Sequence, residues 1–426
     1  MEYRRRILDD ILDLHMKTFG ATQIKGPKGC GKTTTARQKC RTVVEFQNED
    51  VRKSLLLTAD TAPSLLLKGD KPILFDEWQD APKIWGAIRK DVDDSGETGQ
   101  YLLTGSSSRR VITPHTGTLR ISTLIMRPMS LFESGESNGT VSLKRLFDAP
   151  GEFEGCVSDL SVEHLIFALC RGGWPATLSK KTERSQLLIA REVFNKTCDE
   201  DISNMEGEKK DPRLTRAILQ SYARNICTLA DTKSILDDVS ANFNVSERTV
   251  YSYIASLSNL FILDDIEAWC PAIRSKSSIR SRSKRNFIDP SIAVAAHGLR
   301  PEHFYSDFQS LGFVFESLCI RDLKVYSSEF NGYISYYHDR YGLEADAVLH
   351  LSDSRYALIE FKLGEREIEK GAANLCKIER LIDEHNEGRE SGKIRKPDLK
   401  LVITAGKTGY RRPDGVFVIP IGCLRD

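Results

Sequence analysis

Two short stretches hold the residue types that could do chemistry. The first is GPKGCGKTT, Gly26 to Thr34, in which three glycines precede Lys32 and Thr33. Glycines let main-chain N–H groups close round a phosphate, a lysine can reach terminal phosphates, and a threonine hydroxyl can ligate Mg²⁺. The second is YALIEFKLGE, residues 356 to 365, an apolar run carrying an acid and a lysine two positions apart. A strand sends residues two apart to the same face, so Glu360 and Lys362 point the same way. Charges are seldom buried without a partner or a task.

The elements needed to position the first stretch are legible around it. GATQIK reads as a strand before the glycine loop and KTTTARQKCR as a helix after it, the order that phosphate binding requires. Downstream, KPILFDEWQD runs from Pro72 to Phe75 into Asp76 and Glu77. A buried parallel strand delivers acids in this way to the carboxyl end of a sheet. Asp76 would then join Thr33 in the Mg²⁺ shell, and Glu77 would orient or deprotonate the attacking water. The spacing predicts a P-loop NTPase built on a parallel sheet, with Gly26, Pro27, Lys28, Gly29, Cys30, Gly31, Lys32, Thr33, Thr34 and Asp76 at the nucleotide and with Lys32 and Glu77 catalytic. A further strand, YLLTGS, ends in Thr104, Gly105 and Ser106, a position suited to sensing the γ-phosphate. Arg120 and Arg127 read as phosphate contacts, inter-domain contacts or plain strand-end charges.

The middle of the chain reads as helical from about 136 to 210, with Trp174 before Pro175 after a glycine pair as an unassigned aromatic anchor. From about 213 to 270 the pattern is helix, helix, turn, helix, then strands, the look of a winged helix. Ser246 is a natural N-cap there, Val250, Ile254 and Leu257 form an apolar stripe, and Arg248, Thr249 and Ser252 lie towards the outer face. Then comes IRSKSSIRSRSKRNF, whose Arg274, Lys276, Arg280, Arg282, Lys284 and Arg285 have no acid among them. That loop could neutralise phosphates of a nucleic acid, or be a solvated loop.

Glu360 and Lys362 have their own setting. EADAVLHL puts Asp346 on a strand, SDSR joins it to YALIEFK as a hairpin, residues 303–326 form an amphipathic helix with Glu316 on it, and residues 365–385 form a second helix.

GPKGCGKT, ILFDE, LLTGSSS, RPMSLFESG and RGGWP together resemble prokaryotic AAA-type, STAND-like ATPases that carry a restriction-endonuclease-like C-terminal domain. The order helix Glu, strand Asp, strand Glu-x-Lys, helix is similar to the PD-(D/E)XK nuclease core, with alanine where that pattern has a proline before Asp346. The resemblance implies ATP as the nucleotide, Asp346 and Glu360 as metal ligands with Glu316 as the accessory acid, Lys362 as catalytic lysine, and Mg²⁺ or Mn²⁺ at that site.

Composition sets the outer bounds. The 426 residues call for several domains, and 40% apolar with 28% charged residues describe a globular chain. A formal charge of +1 gives no whole-protein field for nucleic acid. No signal peptide or membrane helix is expected, and ten cysteines without a CxxC pair read as reduced thiols in a cytoplasmic protein. The expected architecture is multi-domain α/β: an AAA-type P-loop ATPase domain over 1–135, a helical lid or linker over 136–210, a winged helix over 211–290 and a PD-(D/E)XK-like domain over 291–426. The expected function is an ATPase whose nucleotide state controls a DNA-directed, metal-dependent nuclease-like domain, in defence against foreign DNA or in genome maintenance. The alternative is an ATP-driven switch whose nuclease-fold domain is catalytically inactive and binds DNA or protein. A homo-oligomer is left open, and no arginine finger stands out.

Overall fold

A computed structural model describes residues 3–105, 117–203, 210–270 and 282–426. Its first half is organised by a sheet of five short strands, β1 (Ala21–Lys25), β2 (Thr42–Glu45), β3 (Ile73–Asp76), β4 (Tyr101–Thr104) and β5 (Ile121–Ile125). They lie in the order β2-β3-β4-β1-β5, and every pairing is parallel. The near-continuous apolar character of ILFD and YLLT follows from burial on both faces. One face packs on the amphipathic Lys83–Ser95 helix through Ile84, Ile88 and Val92, and the other on the Leu8–Thr18 helix through Leu8, Ile11 and Leu12.

The segment after this sheet is not purely helical. It supplies β6 (Val141–Ser142) and β7 (Cys156–Val157) before the helices Val162–Arg171 and Glu183–Lys196 begin. Two residues per strand are too few for a period-2 pattern to register, so only tertiary pairing reveals them. The helices Pro212–Arg224, Thr232–Ser240 and Glu247–Asn259 follow, the last capped by Ser246, whose hydroxyl accepts from the Thr249 amide at 3.2 Å. Val250 and Leu257 are fully buried beneath it. In place of the expected strands stand single antiparallel bridges, Leu263 to Phe287 and Ile266 to Lys284.

The second large sheet has the order β7-β12-β13-β11-β10-β9-β8, where β8 is Tyr333–His338, β9 Glu344–His350, β10 Tyr356–Lys362, β11 Leu399–Thr404, β12 Thr408–Arg411 and β13 Phe417–Pro420. β8, β9 and β10 run antiparallel, β10, β11 and β13 parallel. The helices Phe308–Tyr326 and Ile368–Asn386 cover opposite faces: the odd positions Ala357, Ile359 and Phe361 of β10 join the core of the first, and Tyr356 and Leu358 join that of the second. Residues 303–326 do not form one helix. Asp307 starts a new one by accepting the Ser310 amide at 3.0 Å, and the later helix begins at Ile368 after a 3-10 turn. A final strand, β14 (Leu424–Arg425), pairs with β6. No helix among the described residues is long and apolar enough to cross a membrane.

Candidate functional site

The glycine loop lies between β1 and the Lys32–Arg37 helix, at the carboxyl end of the parallel sheet. Gly29 and Gly31 have φ of +79° and +106°, values that favour glycine. A Cβ at Gly26 would stand 2.1 Å from the Met126 carbonyl oxygen, so no side chain fits there. Lys32 curls over its own loop, donating to the carbonyls of Gly26 at 3.0 Å and Pro27 at 2.8 Å. Thr33 Oγ1 donates to Asp76 Oδ1 at 2.7 Å across the two strand ends, and Thr104 from β4 donates to the same oxygen. A hydroxyl and a carboxylate, both hard oxygens on a ligand-facing rim, fit a Mg²⁺ ion that keeps several waters. Glu77 sits one residue past β3 at φ +53°, a strained value for a non-glycine residue, and its carboxylate accepts from the Gln79 amide. Thr33, Lys32 and Glu77 line one cleft of about 1160 Å³, ample for a nucleoside triphosphate.

The walls of this cleft come from distant segments. Arg6, 4% exposed, donates to the Cys30 carbonyl at 2.9 Å and to Glu133 Oε1 at 3.0 Å. Glu133 in turn closes a capping box with Ser130 at the Leu131–Ser134 helix. Met129 and Pro175 form the opposite wall. Trp174, 1% exposed, packs beneath Gly29 and donates its indole N–H to Ser291 at 3.1 Å. Behind it runs a buried polar chain. The Met129 amide donates to the Gly173 carbonyl at 2.7 Å, and the Gly173 amide to Asp289 Oδ2 at 2.9 Å. Arg321 donates to that same oxygen at 2.9 Å and pairs with Asp322 at 2.7 Å, and Asp322 accepts the Leu131 amide at 2.9 Å. Arg321 and Asp322 belong to the Phe308–Tyr326 helix, which also carries Glu316.

The Glu-x-Lys strand leads to a second constellation. Glu360 and Lys362 share one face of β10, and Lys362 Nζ lies 2.5 Å from Glu360 and 3.6 Å from Asp346 of β9. Gly371 lets the covering helix approach, since a Cβ there would meet Lys362 Cε at 3.2 Å. Asn374 from that helix donates to Glu360 at 3.2 Å, and the Phe361 amide donates to Asp346 at 2.9 Å. Glu316 arrives from the other face and is taken by Lys284, whose Nζ lies 2.7 Å from its carboxylate and 3.1 Å from the Asp346 carbonyl. Burial and the Asp346 charge push the Glu360 carboxyl up to about 7, against the pull of Lys362. Burial opposes the Lys284 ammonium, yet the charges of Glu316 and Asp346 outweigh it and hold its pKa above the ordinary lysine range.

Residues 18–134 match the family described as an AAA domain. With the glycine loop, the acid-tipped strand and the parallel sheet already in place, that match decides residues 18–134. The chain carries an AAA-type P-loop ATPase domain. Residues 162–303 and 311–424 match two families described as domains of unknown function, DUF8612 and DUF4143. No curated protein matches the sequence. Among solved structures, a Walker-type ATPase of Pyrococcus abyssi is 14% identical over 68% of this chain and 94% of its own, with a TM-score of 0.42. A signal transduction ATPase with numerous domains and a tetratricopeptide repeat sensor, from Pyrococcus horikoshii, is also 14% identical, over 75% of this chain and 48% of its own, with a TM-score of 0.23.

In the ATPase domain the structure brings Lys28, Lys32, Thr33 and Glu77 to one cleft, with Asp76 bonded to Thr33; Lys28 also pairs with Asp201, and Cys30 is fully buried. Arg127 is an inter-domain contact, paired with Asp264, and Arg120 pairs with Asp93. Ser106, Arg274, Lys276 and Arg280 lie outside the described residues. Lys284 and Arg285 are not on a phosphate-facing loop: Lys284 is buried against Glu316, and Arg285 pairs with Asp265 and Tyr222. The acids expected to hold a metal, Glu316, Asp346 and Glu360, are gathered round Lys284 and Lys362. Among the described residues no three His, Cys, Asp or Glu side chains are grouped to hold a metal ion, and two ammonium groups fill the space between these acids. The cluster as built does not fit a divalent ion. Sequence reading missed Arg6, Met129 and Arg321; the one signal available was RPMSLFE, a capping-box sequence whose Glu133 had no evident purpose.

Proposed function

We propose that this chain is an ATP-driven switch: nucleotide state at the P-loop alters how a nuclease-like C-terminal domain engages DNA. The buried path from Met129 through Gly173, Asp289 and Arg321 to the Phe308–Tyr326 helix carries the reading, because it ties the nucleotide wall by hydrogen bonds to the helix that also carries Glu316. At the P-loop, Lys32 would exchange its two carbonyl partners for phosphate oxygens, and Thr33 and Asp76 would hold Mg²⁺, which shields phosphate charge. Glu77, released by Gln79, would orient the attacking water and accept its proton. The three helices ending at Asn259, with the bridged segment behind them, would form a winged helix beside the DNA. A role in defence against foreign DNA or in genome maintenance would fit such coupling.

A second reading is cleavage at Asp346, Glu360 and Lys362. One observation favours it: Lys362 reaches the acids of two adjoining strands, Glu360 at 2.5 Å and Asp346 at 3.6 Å. The ammonium-filled cluster favours binding without cleavage.

The deciding experiment measures affinity for labelled single-stranded and duplex DNA, with a non-hydrolysable ATP analogue or with ADP, in the native chain and in Lys32→Ala. A difference of about tenfold between nucleotides, corresponding to ~1.4 kcal/mol of coupling, is expected and should vanish in Lys32→Ala. Equal affinity in every nucleotide state would sink the switch. Mg²⁺- or Mn²⁺-dependent strand scission that disappears in Lys362→Ala would restore the nuclease.

A further inference from the structure

A Glu-x-Lys strand accounts for one lysine in the C-terminal acid cluster, and the structure has two. Lys362 comes from the strand itself. Lys284 comes from 78 positions earlier in the chain, and is 7% exposed. Its Nζ is met by a Glu316 carboxylate oxygen at 2.7 Å and the Asp346 carbonyl oxygen at 3.1 Å. Carboxylate and main-chain carbonyl oxygens converging from separate elements are the hard-donor set that a divalent cation otherwise occupies.

The ammonium cannot easily leave. The Lys284 amide donates to the Ile266 carbonyl at 2.8 Å, the Ile266 amide donates back at 2.9 Å, and the Tyr336 ring covers the ammonium at 5.5 Å. The local alternation sets its direction: Arg282, two residues earlier, is exposed and pairs with Asp231. Charge argues the same way. Even with Glu316, Asp346 and Glu360 all ionised, Lys284 and Lys362 leave only one net negative charge, so a divalent ion added beside both lysines would turn the cluster positive.

We infer that Lys284 is a resident cation standing in for a divalent metal ion beside Glu316 and Asp346. The native C-terminal site therefore takes no metal, and its geometry is fixed by an internal ammonium. This inference deepens the C-terminal half of the proposed function and rests on the nuclease-like reading of that fold; ATP control of DNA affinity is measured separately and can fail without it.

The test is a titration of the full nucleotide-free chain with Mn²⁺, free ion being read by electron paramagnetic resonance. The native chain should bind no Mn²⁺ that Glu316→Gln removes. Lys284→Met, which keeps the aliphatic stem, should gain one ion at least about tenfold tighter than the native chain, and Lys284→Met with Glu316→Gln should lose it again. Glu316→Gln assigns any bound ion to this site and not to the P-loop. Tight binding of one Mn²⁺ by the native chain, abolished by Glu316→Gln, overturns the inference, and that result needs no lysine variant to fold. A folded Lys284→Met, verified by its circular dichroism melt, that gains no ion overturns it equally.

Discussion

Lys32 and Lys284 are buried to the same degree, 6% and 7% exposed, and are held in opposite ways. Lys32 rests on two neutral carbonyls of its own loop, and Asp76, which it serves beside, rests on two hydroxyls. Every one of those partners can be exchanged for a phosphate or a metal ion at little cost. Lys284 and Lys362 instead stand against the carboxyl groups of Glu316 and Glu360, at 2.7 Å and 2.5 Å, so acid and ammonium face each other inside the cluster. The comparison separates a site that waits for a ligand from one that has internalised its counter-ion, although both use lysines, acids and strand ends.

The sharpest way to break the comparison is to remove each lysine and measure stability by urea unfolding. Lys284→Met should cost about 3–5 kcal/mol, because it strands a buried carboxylate. Lys32→Met should cost only about 1 kcal/mol, the scale of a neutral hydrogen bond. Equal costs would erase the distinction. A second measurement asks whether the closure extends along β9. His350 is buried, stacked on Tyr333 at 4.5 Å, and burial lowers its pKa to about 4. The unfolded chain protonates this ring near 6.5 and the folded chain only near 4. His350 therefore contributes its full stability above about pH 6.5, and that contribution falls away as pH drops towards 4, by up to about 3 kcal/mol. Urea midpoints between pH 4.5 and 7 should slope less steeply in His350→Gln; an unchanged slope would mean the ring is solvated. The smallest effect concerns the junction. Arg127 and Asp264 are partly exposed, and Asp264 keeps Lys324 at 2.8 Å when Arg127 is lost, so Arg127→Ala should cost about 1 kcal/mol. A loss comparable to that of Lys284→Met would show the two halves fused as tightly as the acid cluster itself.

The nucleotide site was legible because its parts are local. Gly26 to Thr34 announces a loop, and ILFDE announces a strand ending in acids, without knowledge of what lies opposite. The Glu360 and Lys362 pair was legible for the same reason, since period 2 alone puts both on one face. Lys284 was not, because its role depends on a bridge to Ile266 and a carboxylate on a distant helix; in sequence it is one of six cations in a serine-rich stretch. Trp174 and Arg321 were illegible likewise, each acquiring meaning from Ser291, Asp289 or Asp322 across the core. β6 and β7 failed for a different reason, being too short for any pattern.

Those two strands also set an order on synthesis. The five strands of the first sheet are all present once residue 125 has emerged, so that sheet can close while translation continues. β6 and β7 pair with β14 and β12, whose residues emerge more than 250 positions later. At about 5–20 residues per second, the segment round residue 150 waits on the order of tens of seconds for its partners. The parallel sheet can thus close before the Met129 and Pro175 wall of its cleft has emerged, and residues 141–157 spend the longer interval without β12 and β14.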